Sequence, residues 1–163
     1  MLIDDINNSS SDPSPLLQMK GLRIEGLSDK GWQEIVCGID LKLNRGEILG
    51  LIGESGAGKS TIGLAAMGFA RDGCRITDGE IDFDGIELRK APEWQKRKLR
   101  GTRISYVAQS AAAAFNPAHR LLAQFSESPV QHGKMNRTEA AVKGRSLYRQ
   151  LDLPDPESIG DRF

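Results

Sequence analysis

The run Gly53-Glu-Ser-Gly-Ala-Gly-Lys-Ser-Thr61 carries the densest chemistry in the sequence. Gly53, four residues, then Gly58-Lys59-Ser60 is the spacing of a loop that cradles phosphates. Each residue type has a physical task. Gly53, Gly56 and Gly58 let the backbone turn tightly and aim successive N–H groups at phosphate oxygens. Glu54, Ser55 and Ala57 complete the loop between them. A helix that follows presents its N-terminal N–H groups and dipole to the same anion. Lys59 reaches the β and γ phosphates, Ser60 offers an oxygen to Mg²⁺, and Thr61 adds a donor near the α phosphate. The competing reading is a glycine-rich turn with an exposed lysine. Context favours the loop, because a strand precedes it and a helix follows.

The positioning elements are read from pattern. Glu47-Ile-Leu-Gly-Leu-Ile-Gly53 does not alternate, which predicts a strand buried on both faces and running straight into the loop. Ile62, Ala65, Ala66 and Phe69 recur at helical spacing. Gly63 and Gly68 cost that helix about 1 kcal/mol each, so it depends on packing. Upstream, Leu16 to Glu25 and Ile35 to Leu43 read as strands, joined through Ser28 to Gly31 as an antiparallel pair. Downstream, Glu80 to Asp84 reads as a short strand between Asp78-Gly79 and Asp84-Gly85 turns. Pro92 to Leu99 reads as a basic helix, and Arg103 to Val107 as a strand ending at Ala108-Gln109. Ala111 to Ala114 reads as a small-residue loop or a helix start. Thr138 to Leu151 reads as a helix opened by Asn136 and ended by Pro154-Asp-Pro156. Residues 1–15, rich in Asn, Ser, Asp and Pro, read as a flexible tail, so the domain spans 16–163.

Composition excludes several classes. The chain has 163 residues, with 22 Lys+Arg against 22 Asp+Glu. Zero net charge disfavours a nucleic-acid partner. The basic run Lys90, Lys96, Arg97, Lys98, Arg100 and Arg103, with Trp94, reads as a solvated helix. Glu80, Asp82 and Asp84 hint at a calcium loop, but Ala91 stands where the twelfth-position Glu belongs. Cys37 and Cys74 form neither a metal-ligand spacing nor a disulfide framework and read as reduced thiols. No apolar run reaches the roughly 18 residues of a membrane span. The start lacks a basic n-region, so no signal peptide is expected. A membrane role then comes through a partner.

Around these motifs the sequence resembles the nucleotide-binding subunits of ABC transporters, in particular the oligopeptide, dipeptide and nickel importer branch. The residues that carry the resemblance are the 53–61 loop, Gly79-Glu-Ile-Asp-Phe-Asp-Gly85, Leu99-Arg-Gly-Thr-Arg-Ile-Ser-Tyr-Val-Ala-Gln109, Phe115-Asn-Pro117, and Pro154 to Phe163. The resemblance implies ATP and Mg²⁺ as ligands. It implies that Gln109 contacts Mg²⁺ and the attacking water, and that the loop after it touches the membrane-spanning subunits. It further implies a second nucleotide-binding subunit and a peripheral place on the cytoplasmic face of the cell membrane. In the family an aromatic at the end of the first strand stacks on adenine; here Gly26 holds that place. Trp32 is the nearest replacement, as a stacking ring or as a turn or core residue. The family's Ser-Gly-Gly-Gln signature, its Asp-Glu strand and its switch histidine are expected beyond Phe163. His119 and His132 read as surface histidines.

The expected fold is therefore an α/β P-loop NTPase of the ABC type, N-terminal part only. It would have an antiparallel β subdomain and the start of a helical subdomain near residue 110. The expected function is ATP binding for import of peptides or a related solute, as the resemblance implies, with no catalytic base in this chain and little turnover by it alone. A non-catalytic nucleotide-binding or docking module, or another P-loop NTPase, are the alternatives. A sheet short of strands would leave exposed edges and an uncovered apolar face, hence marginal stability or aggregation.

Overall fold

The computed structural model describes residues 14–110 and 114–162. The expected tail lies almost wholly outside the described residues, as do three of the four alanines of Ala111 to Ala114. The chain divides into two compact units, 1–97 and 98–163, with the division falling inside one helix.

The first unit holds an antiparallel sheet in the order β2-β1-β3-β4. Strand β1 is Leu17–Ser28, β2 Gly31–Leu43, β3 Cys74–Phe83 and β4 Ile86–Glu87. The expected β1–β2 hairpin forms, with Leu17 opposite Leu43 and Leu27 opposite Trp32. Its turn is closed by Ser28 Oγ donating to the Gly31 carbonyl at 2.9 Å. Met19, Leu22 and Ile24 of β1, Val36 of β2, Ile81 and Phe83 of β3, and Leu88 are buried together. Each fully buried side chain of this size contributes roughly 1.5–3 kcal/mol, so this core is what holds the sheet.

The two Asp-Gly pairs behave differently. Asp84 and Gly85 both have positive φ, 54° and 79°, and make the two-residue β3–β4 hairpin that this pair favours. Asp78-Gly79 is not a turn: β3 runs through it. Lys20 pairs with Glu80 and Arg23 with Asp78, so Gly21 and Leu22 together oppose Gly79 as a β-bulge. A Cβ on Gly79 would stand 2.6 Å from both the Gly21 carbonyl oxygen and Leu22 Cα. Only glycine lets the strands close there.

Helix α1, Lys59–Ala65, is shorter than its apolar spacing predicts. Gly68 adopts φ 61°, its N–H bonds to the Ala65 carbonyl at 2.8 Å, and the Phe69 N–H bonds to the Leu64 carbonyl at 3.3 Å. That is a Schellman ending, so Gly68 terminates the helix rather than weakening it, and Phe69 falls outside. Helix α2 is Glu93–Leu99, as the Pro92 start predicts.

Two expected strands do not form. Residues 47–53 belong to no strand, and Ile48 and Ile52 are 97% and 99% exposed. Arg103 to Val107 holds a single bridge, between Arg100 and Ile104, and Val107 is 91% exposed. A strand buried on both faces needs neighbours to accept its backbone bonds and cover its side chains. Among the described residues none lies beside either segment in a sheet.

The second unit is a helical hairpin. Helix α3, Leu121–Gln131, contains Pro129 in its last turn. Helix α4, Arg137–Gln150, opens with a capping box. Asn136 Oδ1 accepts from the Glu139 N–H at 2.9 Å, and Glu139 Oε2 accepts from the Asn136 N–H at 2.8 Å. The helices meet where Gly144 leaves room for Leu122 and Phe125, and Phe125 packs edge-on to Tyr148 at 6.3 Å. A short 3-10 turn, Ile159–Asp161, packs under Leu122 through Gly160.

Candidate functional site

The 53–61 loop is built as its glycines dictate. Gly56 and Gly58 take φ 85° and 80°, and Gly58 is the N-cap of α1. The loop is exposed, whereas Thr61 is buried at the base of the helix. Gly58 is pressed against β2: a Cβ there would lie 3.0 Å from the Ile35 carbonyl oxygen and 3.1 Å from Val36 Cγ2. Ile35 is the extra residue of a bulge, since Glu25 pairs with Glu34 and Ile24 with Val36. The hairpin thus supports the loop. Sequence spacing carried no signal for this, because it depends on which strand ends beside the loop.

Lys59 folds back over the loop. Its Nζ donates to the Gly53 carbonyl at 2.7 Å and the Glu54 carbonyl at 2.5 Å. Those bonds close the loop into a ring that starts and ends on residues 53–59. Ser60 is exposed in the first turn of α1, where no acidic side chain stands to repel an anion. Gly58, Lys59 and Ser60 are therefore together, on one exposed helix start.

Trp32 lies on β2 beside Leu27. Arg75 sits over its ring at 4.1 Å, and is itself held by Glu25 Oε2, which accepts from Nε at 2.8 Å and Nη2 at 2.6 Å. The indole is 41% exposed. Gly26 is covered by the Ile35 side chain, at ordinary contact distance from an added Cβ. Gln109 belongs to the second unit, exposed and outside any strand.

Beyond it, the Phe115-Asn-Pro117 loop is fastened by a residue the sequence did not mark. Gln124 Oε1 accepts from the Asn116 N–H at 2.8 Å, while its Nε2 donates to the Asn116 carbonyl at 2.9 Å and the His119 carbonyl at 2.7 Å. Near β4, Glu87 takes up backbone N–H groups rather than a metal. Burial pushes its carboxyl up, but bonds from the Arg89, Ile81 and Lys90 N–H groups outweigh this and hold it below its ordinary value. Among the described residues no group of three or more His, Cys, Asp or Glu could hold a metal ion.

A glycine loop closed by its own lysine at the start of a helix defines a phosphate-loop protein. The comparisons narrow this. The ABC transporter family profile matches residues 36–158, and the chain belongs to that family. It is 37% identical over 114 residues to the peptide transport system ATP-binding protein SapD of Salmonella typhimurium, covering 70% of this chain and 34% of that protein. It is 33% identical over 140 residues to the oligopeptide transport ATP-binding protein OppD of Escherichia coli, covering 86% of this chain and 41% of that protein. The chain thus spans less than half the length of these relatives. Its fold is that of the ATP-binding cassette MJ0796, solved as a dimer bound to ADP and Pi. There the TM-score is 0.71 at 19% identity, covering 90% of this chain and 60% of the cassette.

Proposed function

We propose that this chain supplies the ATP-binding loop of a peptide import system. The observation that carries the reading is the closed 53–59 loop, with Lys59 bonded to two loop carbonyls and Gly58 packed on β2. In this reading the loop N–H groups and Lys59 hold the phosphates, with Glu54, Ser55, Gly56 and Ala57 lining the turn. Ser60 and Gln109 hold Mg²⁺, and Thr61 supports the α phosphate. Bound Mg²⁺ offsets the phosphate charge. Trp32, 41% exposed, stacks on the base.

Phosphoryl transfer to water needs a group that positions the water. The reading takes that group from outside these 163 residues, so they bind nucleotide and by themselves turn it over slowly. Its partners are a second nucleotide-binding subunit and membrane-spanning subunits reached through the loop that Gln124 fastens. The chain then sits peripherally at the cytoplasmic face of the cell membrane. No helix among the described residues is long and apolar enough to cross a membrane.

Calorimetric titration with Mg-ATP tests the site. Lys59→Ala removes charge-assisted bonds of about 1.5–3 kcal/mol, a weakening of roughly ten- to a hundred-fold. Trp32→Ala costs about 1–3 kcal/mol if the base stacks there. Equal affinity of Lys59→Ala and the parent chain refutes the phosphate site.

A further inference from the structure

The segment Ile48-Leu-Gly-Leu-Ile52 reads the same in both directions. Ile48 and Ile52 stand almost wholly in solvent, and Leu49 and Leu51 are 43% and 44% exposed. None of the backbone N–H or carbonyl groups of residues 48–52 bonds to another described residue. The bonds on either side fall just outside: the Glu47 N–H donates to the Asn44 carbonyl at 3.3 Å, and Lys59 Nζ donates to the Gly53 carbonyl at 2.7 Å. A Cβ on Gly50 would meet nothing within 4 Å. An uncharged aliphatic run without Pro, bare in both backbone and side chains, is a template for strand pairing.

The order of the residues says what covers it. Two copies set antiparallel about Gly50 place Ile48 opposite Ile52, Leu49 opposite Leu51, and Gly50 opposite Gly50. A two-fold interface has to be complementary to itself, and this segment is so residue by residue. Side chains alternate in a strand, so Ile48, Gly50 and Ile52 share one face and Leu49 and Leu51 the other. The flanking charges fit the same arrangement. Glu47 falls opposite Gly53 and Gly46 opposite Glu54, so no acid faces an acid. A parallel pair would set Glu47 beside Glu47 and Glu54 beside Glu54, and like charges side by side repel.

We propose that two copies of this chain join through residues 48–52 as an antiparallel strand pair, with Gly50 on the two-fold axis. The pair gives backbone partners to N–H and carbonyl groups that have none among the described residues. It also takes Ile48, Leu49, Leu51 and Ile52 of both copies out of water together. Backbone and aliphatic side chains do all of this, so the pairing needs no nucleotide and does not rest on the ATP-binding reading.

The test is sedimentation of the whole chain without nucleotide, over a wide range of chain concentration. A monomer–dimer equilibrium is expected. I48K/I52K sets cation against cation across the pair and returns the monomer, with circular dichroism checking that it folds. Register is read from disulfides in a C37S/C74S background, which removes both natural thiols. Directly opposed residues of an antiparallel pair have Cα atoms about 4.5–5.5 Å apart, within disulfide reach. Gly50→Cys, whose added side chain meets open space, therefore cross-links to itself. Ile48→Cys and Ile52→Cys chains cross-link when mixed and not when alone, because identical positions lie four residues apart along the strands, roughly 13 Å. A chain that stays monomeric overturns the proposal, as do larger aggregates in place of a dimer. A dimer that persists in folded I48K/I52K overturns it too. If that variant unfolds, register decides: failure of Gly50→Cys to cross-link, or equal self-cross-linking by Ile48→Cys, refutes the two-fold pairing.

Discussion

The same substitution should have opposite signs at Gly58 and Gly63. Gly58 takes φ 80°, so an alanine there pays about 1–2 kcal/mol for the left-handed backbone. Its methyl would also lie 3.0 Å from the Ile35 carbonyl oxygen, a backbone atom of a paired strand that cannot step aside alone. The loop must then lift from β2 by a few tenths of an ångström, which moves the N–H groups proposed to bind phosphate. Gly63 lies inside α1, and an added Cβ there meets nothing within 4 Å. Gly63→Ala gains helix propensity of about 0.5–1 kcal/mol. Both indoles, Trp32 and Trp94, lie in the first unit, so urea unfolding followed by fluorescence reports on it. With a slope of about 1–3 kcal/mol/M, Gly58→Ala should lower the midpoint by roughly 0.5–1 M and Gly63→Ala should raise it by a few tenths. Mg-ATP affinity should fall in the first and hold in the second. A Gly58→Ala chain of parent stability and affinity would refute the contact between loop and hairpin, and a destabilised Gly63→Ala would refute the placement of that glycine in open helix.

Glu87 should give the first unit an acid-sensitive component. Its folded pKa lies below its unfolded value, so the stability it adds is present above about pH 4.3 and lost as pH falls through the folded pKa. Glu87→Gln should therefore flatten the decline of the urea midpoint between neutral and acidic pH, and an unchanged slope counts against the backbone bonds to Ile81, Arg89 and Lys90. In the second unit, Gly144→Ala would bring a methyl to 2.9 Å from Leu122 Cδ1 and Phe125 Cδ1. Overpacking of that kind costs about 1–3 kcal/mol, and far-ultraviolet circular dichroism on heating should show a lowered midpoint.

What the sequence made legible was local. The phosphate loop, the β1–β2 hairpin, the Asp84-Gly85 turn and the Asn136 cap each rest on residues within a few positions of one another. What it hid depends on partners far along the chain. Asp78-Gly79 looked like a second turn, yet β1 lies beside it and makes it the tight side of a bulge. Gly68 looked like a weak spot in a helix and is its stop. Helix α3 carries Pro129 in its last turn, where the missing N–H costs a single backbone bond. The segments 47–53 and 103–107 have strand composition without strand pairing, because alternation and apolarity describe side chains, while a strand exists only through its neighbours' backbone. In the candidate site the glycine spacing and the Lys59 position were readable, but the packing of Gly58 on Ile35 and the fastening of Asn116 by Gln124 were not.

The bulge at Ile35 bears on solubility. Strand β2 is the outer strand of its sheet, and an outer strand is a template on which a second chain can add itself. Ile35 breaks the regular ladder of β2, and the Gly58 end of the nucleotide loop covers the carbonyl it leaves. Any event that lifts the loop from β2 therefore bares the backbone at the middle of that border.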